Sequence, residues 1–322
     1  MIGVVTITPA AAIDRTYRIE SVTLGVVNRA TESHHELSGK GVNVARAIAH
    51  TDVSVRAVVP LGPVEMPTAL LDPVLVPVPI RREIRQNISV IETDGTSTKI
   101  NAPATPLELT EWEAVIEAGL TTLRKLDGGW LALCGSIPNV AGTNELVPFE
   151  PLLEAAARAG VRIAIDSSGA AFERVLRLGA QVDLVKPNTH ELAEAVGRRL
   201  HTVGDVADAA AELRDRGVRT VYVSMGADGA FVLGEDGYRV ASAAAPTMTN
   251  TVGAGDASLA GFLACVARRG ADALDEAAAA AASWGALAVS QSTTILTDPD
   301  TAPLAQVSVP ARHTPLSEPS QP

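Results

Sequence analysis

Short β-branched runs alternate with longer stretches of helical period along most of this chain. Ile2–Ile7 (IGVVTI), Leu131–Cys134 (LALC), Val161–Asp166 (VRIAID), Val182–Lys186 (VDLVK) and Thr220–Ser224 (TVYVS) read as buried strands. Between and beyond them, residues 41–50, 108–126, 150–160, 189–199 and 205–216 carry apolar positions at helical spacing. Strands separated by such helices form βαβ units, so the pattern predicts an α/β fold with a mostly parallel central sheet. Ligands on such sheets sit beyond the carboxyl ends of the strands. Gly135-Ser136, Asp166, Lys186-Pro187-Asn188 and Ser224 all follow or end a predicted strand.

Two regions break the rhythm. Residues 17–37 alternate polar and apolar positions without a helical face, and residues 86–101 (QNISVIETDGTSTKIN) predict a hairpin turning at Asp94-Gly95. Periodicity alone fits a small accessory sheet and an edge hairpin on the main sheet equally well. The stretch Ala277–Val289 is rich in alanine and reads as a packed helix rather than a membrane span. After it, Asp298–Pro322 holds six prolines in 25 residues and is expected to be extended or disordered. The expected organisation is one domain over 1–297, then a proline-rich tail over 298–322.

Composition narrows the function classes. Aromatic residues make up only 3% of the 322, so the core must be built from Ala, Val, Leu and Ile. A formal net charge of −11 argues against a general nucleic-acid or acidic-membrane surface, though not against a local cationic pocket. Two cysteines, Cys134 and Cys265, exclude a disulfide framework and a cysteine-rich zinc site. The N-terminal stretch has no basic region of the kind a signal peptide carries, and a cytoplasmic protein is the expectation.

Two glycine loops carry candidate chemistry. In ELSGKGVNVARAIAH, Gly39 and Gly41 flank Lys40, and Asn43 enters a helix. Such a loop admits close backbone approach while Lys40 and Asn43 supply donors. It is not a Walker A loop, which would need glycine at His34 and a hydroxyl at Gly41. No G-x-G-x-x-G follows the first strand, and adjacent His34 and His35 would face opposite sides of a strand. The second loop, TNTVGAGDASLAGFLACVARR, turns through Gly253-Ala254-Gly255 into a helix. That turn favours an anion, yet Asp256 follows it at once.

SGKGVNVARA, KPNTHEL, VSMGADGA and NTVGAGD occur in that order on the alternating chain. Together they closely resemble the PfkB (ribokinase-like) family of carbohydrate kinases, and within it the 1-phosphofructokinase/tagatose-6-phosphate kinase branch. Asp14-Arg15-Thr16, Asn28-Arg29, CGSIPNVAG from Cys134 and DSSG from Asp166 add to the resemblance, which runs from about Thr6 to Ala288. It implies a ribokinase-like domain with helices on both sheet faces and a small β-sheet lid from segments 15–37 and 86–101. The implied reaction is transfer of a phosphoryl group from ATP to a hydroxyl of a sugar or sugar phosphate. Asp256 matches the catalytic base, and Gly253, Ala254 and Gly255 the anion hole. Asp14, Gly39 and Asn43 match residues holding sugar hydroxyls, with Arg29, Lys40, Arg85 and Ser136 as candidates for the sugar's own phosphate. Lys186, Asn188 and Glu191 fall on a K-x-N-x-x-E signature tied to ATP phosphates and hydrated Mg²⁺, Glu191 acting through water. Ser224, Gly226 and Gly229 would border the nucleotide. A homodimer through the lid is among the implied partners.

Taken singly, each residue also has a plain structural reading: Ser136 or Asp14 capping a turn, Asp256 satisfying a first helical turn, lone charges lying solvated. Beside that positive helix end, Asp256 is expected to stay readily ionised. The chain departs from the family pattern in places. Ser38 stands for the first glycine of G-G-K-G, Thr8 for an asparagine, and Arg85 is followed by Gln86-Asn87. The segment between the second strand and the lid is short and proline-rich. An unphosphorylated-sugar or nucleoside kinase, and a non-catalytic binding protein, are the alternatives these departures leave.

Overall fold

The computed structural model describes residues 2–126, 129–178, 181–249, 251–291, 293 and 295–320. In chain order the elements begin β1 (Gly3–Ile7), β2 (Ala12–Ile19), β3 (Glu32–Ser38), α1 (Lys40–Ile48), β4 (Val55–Leu61), α2 (Met66–Ala69), β5 (Leu75–Pro79), β6 (Arg85–Glu92) and β7 (Ser97–Asn101). The middle of the chain supplies α3 (Leu109–Lys125), β8 (Gly129–Cys134), α4 (Glu150–Arg158), β9 (Arg162–Asp166), α5 (Gly169–Leu176), β10 (Leu184–Val185), α6 (Thr189–Val196) and β11 (Leu200–Thr202). It closes with α7 (Val203–Asp215), β12 (Thr220–Ser224), β13 (Ala230–Gly234), β14 (Gly237–Ser242), α8 (Ala254–Arg269), α9 (Leu274–Ser290), β15 (Gln306–Ser308) and β16 (Pro315–Ser320).

Ten strands form the central sheet in the order β15-β14-β13-β12-β10-β9-β8-β1-β4-β5. The seven from β12 to β5 pair in parallel, and β13, β14 and β15 add an antiparallel edge. Every residue of β1 is buried, as expected of a parallel strand covered on both faces. From β1 the chain moves outward through β4 and β5, then returns to β8 on the other side. The strand order therefore reverses between β1 and β8, the place where open α/β sheets bind ligands.

Helices α1, α8 and α9 pack as one layer, while α3 covers β1, β4 and β5 and α4 covers β9. The alanine-rich run explains itself at the α8–α9 contact. A Cβ at Gly261 would lie 2.6 Å from the Ala280 carbonyl oxygen, so the two helices approach closely enough to need small residues. Among the described residues no helix is long and apolar enough to cross a membrane.

The rhythm-breaking segments resolve into a separate four-stranded sheet, order β3-β2-β6-β7. The β6–β7 hairpin turns at Asp94-Gly95, with Asp94 Oδ1 accepting the Thr96 N–H at 2.8 Å. Asp14 lies within β2, opposite Glu36 and Asn87, rather than in a loop. The shortened segment retains only the four-residue helix α2 before β5.

The tail is extended, and it is paired. β15 joins the edge of the main sheet beside β14, and β16 pairs with β11. Its prolines are compatible with this because edge strands can spare ladder donors. Side chains fix it as well: Leu316 and Ser320 are buried, and Ser317 donates from N and Oγ to Asp228 at 2.8 and 2.6 Å. Sequence reading missed this because backbone pairing and one serine–aspartate contact leave no apolar period. Asp228→Ala is expected to open residues 311–320 to limited proteolysis while moving the global melting temperature little, since exposed hydrogen bonds contribute about 1 kcal/mol. Unchanged cleavage would show that pairing with β11 alone holds the tail.

Candidate active site

The site is assembled where α1 and α8 start beside the carboxyl ends of the parallel strands. Gly39 precedes α1 with φ 150°, and a Cβ there would meet Thr8 Cγ2 at 2.6 Å. A Cβ at Gly41 would meet Thr8 Oγ1 at 2.5 Å, and Thr6 Oγ1 donates to the Gly41 carbonyl at 2.7 Å. The glycines thus let α1 start directly against the end of β1. This is a packing reason for the G-K-G pattern, and it aims Lys40 and Asn43 at the strand ends. Ser38 is buried, with its Oγ 3.5 Å from the Asn43 amide.

At the centre is Asp166, the last residue of β9, with no exposed side-chain surface. Its Oδ1 accepts from Lys40 Nζ at 2.8 Å, and its Oδ2 lies 3.3 Å from Lys186 Nζ. Lys186 follows β10 and is 4% exposed. Burial works against ionisation of Asp166, but Lys186 and then Lys40 outweigh it and hold the carboxyl below the ordinary aspartate range. Lys40 answers in kind: burial opposes its charge, and Asp166 and Asp256 overcome that and raise its pKa.

Asp256 stands in the first turn of α8, after Gly253 in the left-handed region (φ 82°). Its Oδ2 accepts the Asn43 side-chain N–H at 2.9 Å. Its pKa is pushed up to about 6, so it stays largely ionised at neutral pH but is more basic than a solvated aspartate. Burial is the larger cause and the nearby Asp166 charge the next, while Lys40, the Asn43 hydrogen bond and Lys186 pull the other way. Proximity to a helix start does not offset desolvation of a carboxylate that is about nine-tenths buried. A Cβ at Gly255 would lie 3.9 Å from Lys186 Nζ, so the first turn of α8 presents its backbone beside that ammonium. Glycine leaves the approach open, and N–H groups beside a cation form a donor set suited to an anion.

Next along the strand ends, Asn188 and Glu191 form a reciprocal cap on α6. Asn188 Oδ1 accepts the Glu191 N–H, and Glu191 Oε2 accepts the Asn188 N–H, both at 2.9 Å. Ser224 bridges to Asn188 and donates its N–H to the Pro187 carbonyl at 3.0 Å. Gly226 and Gly229 shape the turn between β12 and β13, both at positive φ. A Cβ at Gly229 would lie 2.1 Å from the Ala241 carbonyl oxygen, which is reason enough for glycine there.

The remaining candidates are distributed unevenly. Asp14 Oδ1 accepts from Asn87 Nδ2 at 2.9 Å on the small sheet. Arg85 faces Ala12 in register, and its Nη groups donate to the Ala102 and Ala10 carbonyls at 3.2 and 3.3 Å. Its buried Nε has no hydrogen-bond partner among the described residues. Burial lowers its pKa against the opposing pull of Asp14. Ser136 is exposed, one residue beyond Gly135, whose own Cβ position lies 3.8 Å from Lys40 Cβ. Arg29 is exposed in the β2–β3 loop. Asn250, the first residue of NTVGAGD, lies outside the described residues. The sequence marks Asp166 as a strand-end position without giving it a role, and Asn87 only as a departure from the family pattern. An acidic residue ending an apolar parallel strand was the available signal for Asp166.

The chain matches the profile of the pfkB family carbohydrate kinases over residues 3–301. It belongs to that family. Among curated relatives of this carbohydrate kinase, the 1-phosphofructokinase of Rhodobacter capsulatus is 34% identical over 269 residues, covering 81% of this chain and 82% of that protein. The ATP-dependent 6-phosphofructokinase isozyme 2 of Escherichia coli is 34% identical over 265 residues, covering 80% and 83%. Among solved structures, Escherichia coli phosphofructokinase-2 in complex with potassium superposes with a TM-score of 0.82 at 29% identity, covering 93% of this chain and 96% of that one. A ribokinase from Thermotoga maritima, at 19% identity and a TM-score of 0.69, shares the fold. The mostly parallel sheet covered by helices, with a small separate sheet, is therefore ribokinase-like.

A raised Asp256 pKa means that its ionisation opposes folding. The native state holds the proton more tightly than the unfolded chain, so this residue's contribution becomes less favourable as pH rises from about 4 to about 6. Asp256→Asn should therefore raise stability by on the order of 1–3 kcal/mol above about pH 7, with the gain fading toward about pH 4. Thermal melts across that range check it; destabilisation at neutral pH would show that Asp256 is better accommodated as a carboxylate.

Proposed function

We propose that this carbohydrate kinase transfers the terminal phosphoryl group of ATP to a hydroxyl of a hexose phosphate, with fructose 1-phosphate the first acceptor to test. The observation carrying the reading is the joint placement of Asp256, Asn43, Lys40 and Lys186 around Asp166. One group able to take a proton lies beside an anion-favouring helix start and two ammonium groups, which is what phosphoryl transfer requires. The names of the curated relatives support a sugar phosphate as acceptor.

In this reading Asn43 orients the Asp256 carboxylate, and Asp256 takes the proton from the acceptor hydroxyl at Oδ. The N–H groups at Gly253, Ala254 and Gly255, with Lys186, offset charge on the moving phosphoryl oxygens. Asp14 and Gly39 would hold sugar hydroxyls, and Lys40, Arg85, Ser136 and Arg29 are the candidates for the sugar's phosphate. Asn188, Ser224, Gly226 and Gly229 would border the nucleotide.

ATP is the phosphate donor used by sugar kinases of this family. Mg²⁺ would supply charge neutralisation at the phosphates. Mg²⁺ keeps several waters and takes few protein ligands, so a single carboxylate acting through water would fit it. Glu191 uses Oε2 in its cap, leaving Oε1 for a water.

The small sheet, with segments near 15–37 and 86–101, would act as a lid excluding water. Its β2–β3 loop exposes Leu24, Val26 and Val27, at 90%, 62% and 78%, which supports pairing of two copies through this lid. Leu24→Asp is then expected to shift the protein from dimer to monomer in sedimentation. An unchanged mass would remove the lid from the interface. A cytoplasmic location accords with the reaction and with the chain's two unpaired cysteines.

Two kinetic outcomes follow. On a panel of fructose 1-phosphate, fructose 6-phosphate, tagatose 6-phosphate and neutral sugars, ADP release should give the highest kcat/KM with fructose 1-phosphate; turnover of neutral sugars alone would overturn the hexose-phosphate reading. A base must be deprotonated to act, so kcat/KM should fall on the acid side with a midpoint near the Asp256 pKa of about 6. Asp256→Asn should abolish that limb and lower kcat by about 10²–10⁴-fold with MgATP affinity largely kept. Retained kcat would exclude Asp256 as the base.

A further inference from the structure

The C-terminal tail ends on the turn assigned above to the border of the nucleotide. Residues 310–320 lie past residue 301, where the match to the family ends. The Tyr238 hydroxyl donates to the Pro310 carbonyl at 2.7 Å. The pairing of β16 with β11 runs on into the first turn of α7, where the Gly204 and Val203 N–H groups donate to the Arg312 and Thr314 carbonyls at 2.7 and 2.9 Å. These are two of the donors that a helix start leaves without partners inside the helix. A Cβ at Gly204 would lie 2.8 Å from the Arg312 carbonyl oxygen, so this glycine is what admits the tail so close.

From that anchorage the tail reaches the turn between β12 and β13. Ser317 donates from N to Asp228 Oδ2 and from Oγ to Asp228 Oδ1, so both carboxylate oxygens hold the tail. Asp228 closes a single 3₁₀ turn, Gly226–Asp228, set between two glycines at φ 57° and 89°. Gly226 and Ala227 are exposed. The bonds inside the turn are backbone bonds, from the Asp228 N–H to the Met225 carbonyl at 3.0 Å and from the Gly229 N–H to the Gly226 carbonyl at 3.1 Å. Glycine loses more conformational freedom on ordering than any other residue, so an exposed turn flanked by two of them is steadied by a hold from outside. Ser317 supplies that hold from 89 residues away. β16 also lies against α6, the helix capped by Asn188 and Glu191.

We propose that Ser317 is a positioning residue of the nucleotide site: through Asp228 it fixes the Gly226–Gly229 turn, so nucleotide affinity depends on the docked tail and acceptor affinity does not. The proposal rests on the reading that this turn borders ATP. The acceptor candidates Asp14, Asn43 and Arg85 stand on the small sheet and α1, whereas the tail is bonded to β11, α7 and the 226–229 turn. Such coupling is reciprocal, so bound nucleotide holds the tail more firmly by the same factor.

The test is calorimetric binding of MgADP and of a non-hydrolysable MgATP analogue to the full chain, which needs no acceptor sugar. Ser317→Ala should weaken binding about threefold and Asp228→Ala about tenfold, in proteins whose melting confirms folding. Ser317→Ala should add nothing further in the Asp228→Ala background, because the contact is already lost. In turnover with whichever sugar phosphate is accepted, both variants should raise the KM for ATP by about these factors while kcat and the acceptor KM hold. Saturating MgADP should slow cleavage within residues 311–320 of the wild-type chain and leave that of Asp228→Ala unchanged. A contact that only fastens the tail would alter cleavage and leave nucleotide affinity alone. Wild-type nucleotide affinity in both folded variants, an equal rise in the acceptor KM, or additive effects in the double variant would overturn the proposal. Absence of nucleotide binding by the wild-type chain would overturn the ATP reading itself, and this proposal with it.

Discussion

The Asp166 carboxylate, wholly enclosed at the end of β9, depends on two ammonium groups that arrive from different parts of the chain. Lys40 comes from the start of α1, beyond β3, and Lys186 from the end of β10. An enclosed carboxylate without partners would protonate, and an enclosed Lys186 without Asp166 would be as unfavourable; breaking such an arrangement typically destabilises by about 3–5 kcal/mol. The contact therefore locks together the two halves of the sheet on either side of its reversal point. It also sets the field in which Asp256 titrates.

That field explains why Asp256 can be ordinary in sequence and unusual in chemistry. Burial and Asp166 push its pKa upward while Lys40, Asn43 and Lys186 restrain it. The result is a carboxylate with more basicity than a solvated aspartate but still largely ionised at neutral pH. A better base and a less comfortable native state are the same fact seen from two sides. The helix that bears it is held elsewhere by apolar and neutral contacts: Tyr222 stacks on Phe262 at 5.4 Å, and the Tyr222 hydroxyl meets Ser258, which also bonds the Ala281 carbonyl at 2.7 Å.

Much of this was legible in the chain because it rests on local period or on glycine. The strand runs of β1, β8, β9 and β12 and the α1, α3, α6 and α7 helices came from spacing. The G-K-G and G-A-G-D loops came from residue types that few other structures need. What escaped depended on pairings distant in sequence. Asp166 ends a strand in the sequence, and nothing local shows that Lys40, 126 residues earlier, reaches it. The tail strands follow from backbone pairing and from Ser317 meeting Asp228, 89 residues away. Arg85, a candidate for the sugar's phosphate, spends two of its donors on the Ala10 and Ala102 carbonyls that flank the small sheet, contacts that local sequence does not show. The upward push on the Asp256 pKa is not legible in the chain, because the helix start is visible in sequence and enclosure is not.

The most direct test of this electrostatic account is titration of the Asp256 side-chain carboxyl by ¹³C NMR in the free protein. The midpoint should lie near 6 and fall when Asp166 is replaced by asparagine, because the neighbouring negative charge is lost while Lys40 and Lys186 remain. A midpoint at the ordinary aspartate value of about 3.9, or one unmoved by Asp166→Asn, would contradict the claim that enclosure and Asp166 together tune this residue.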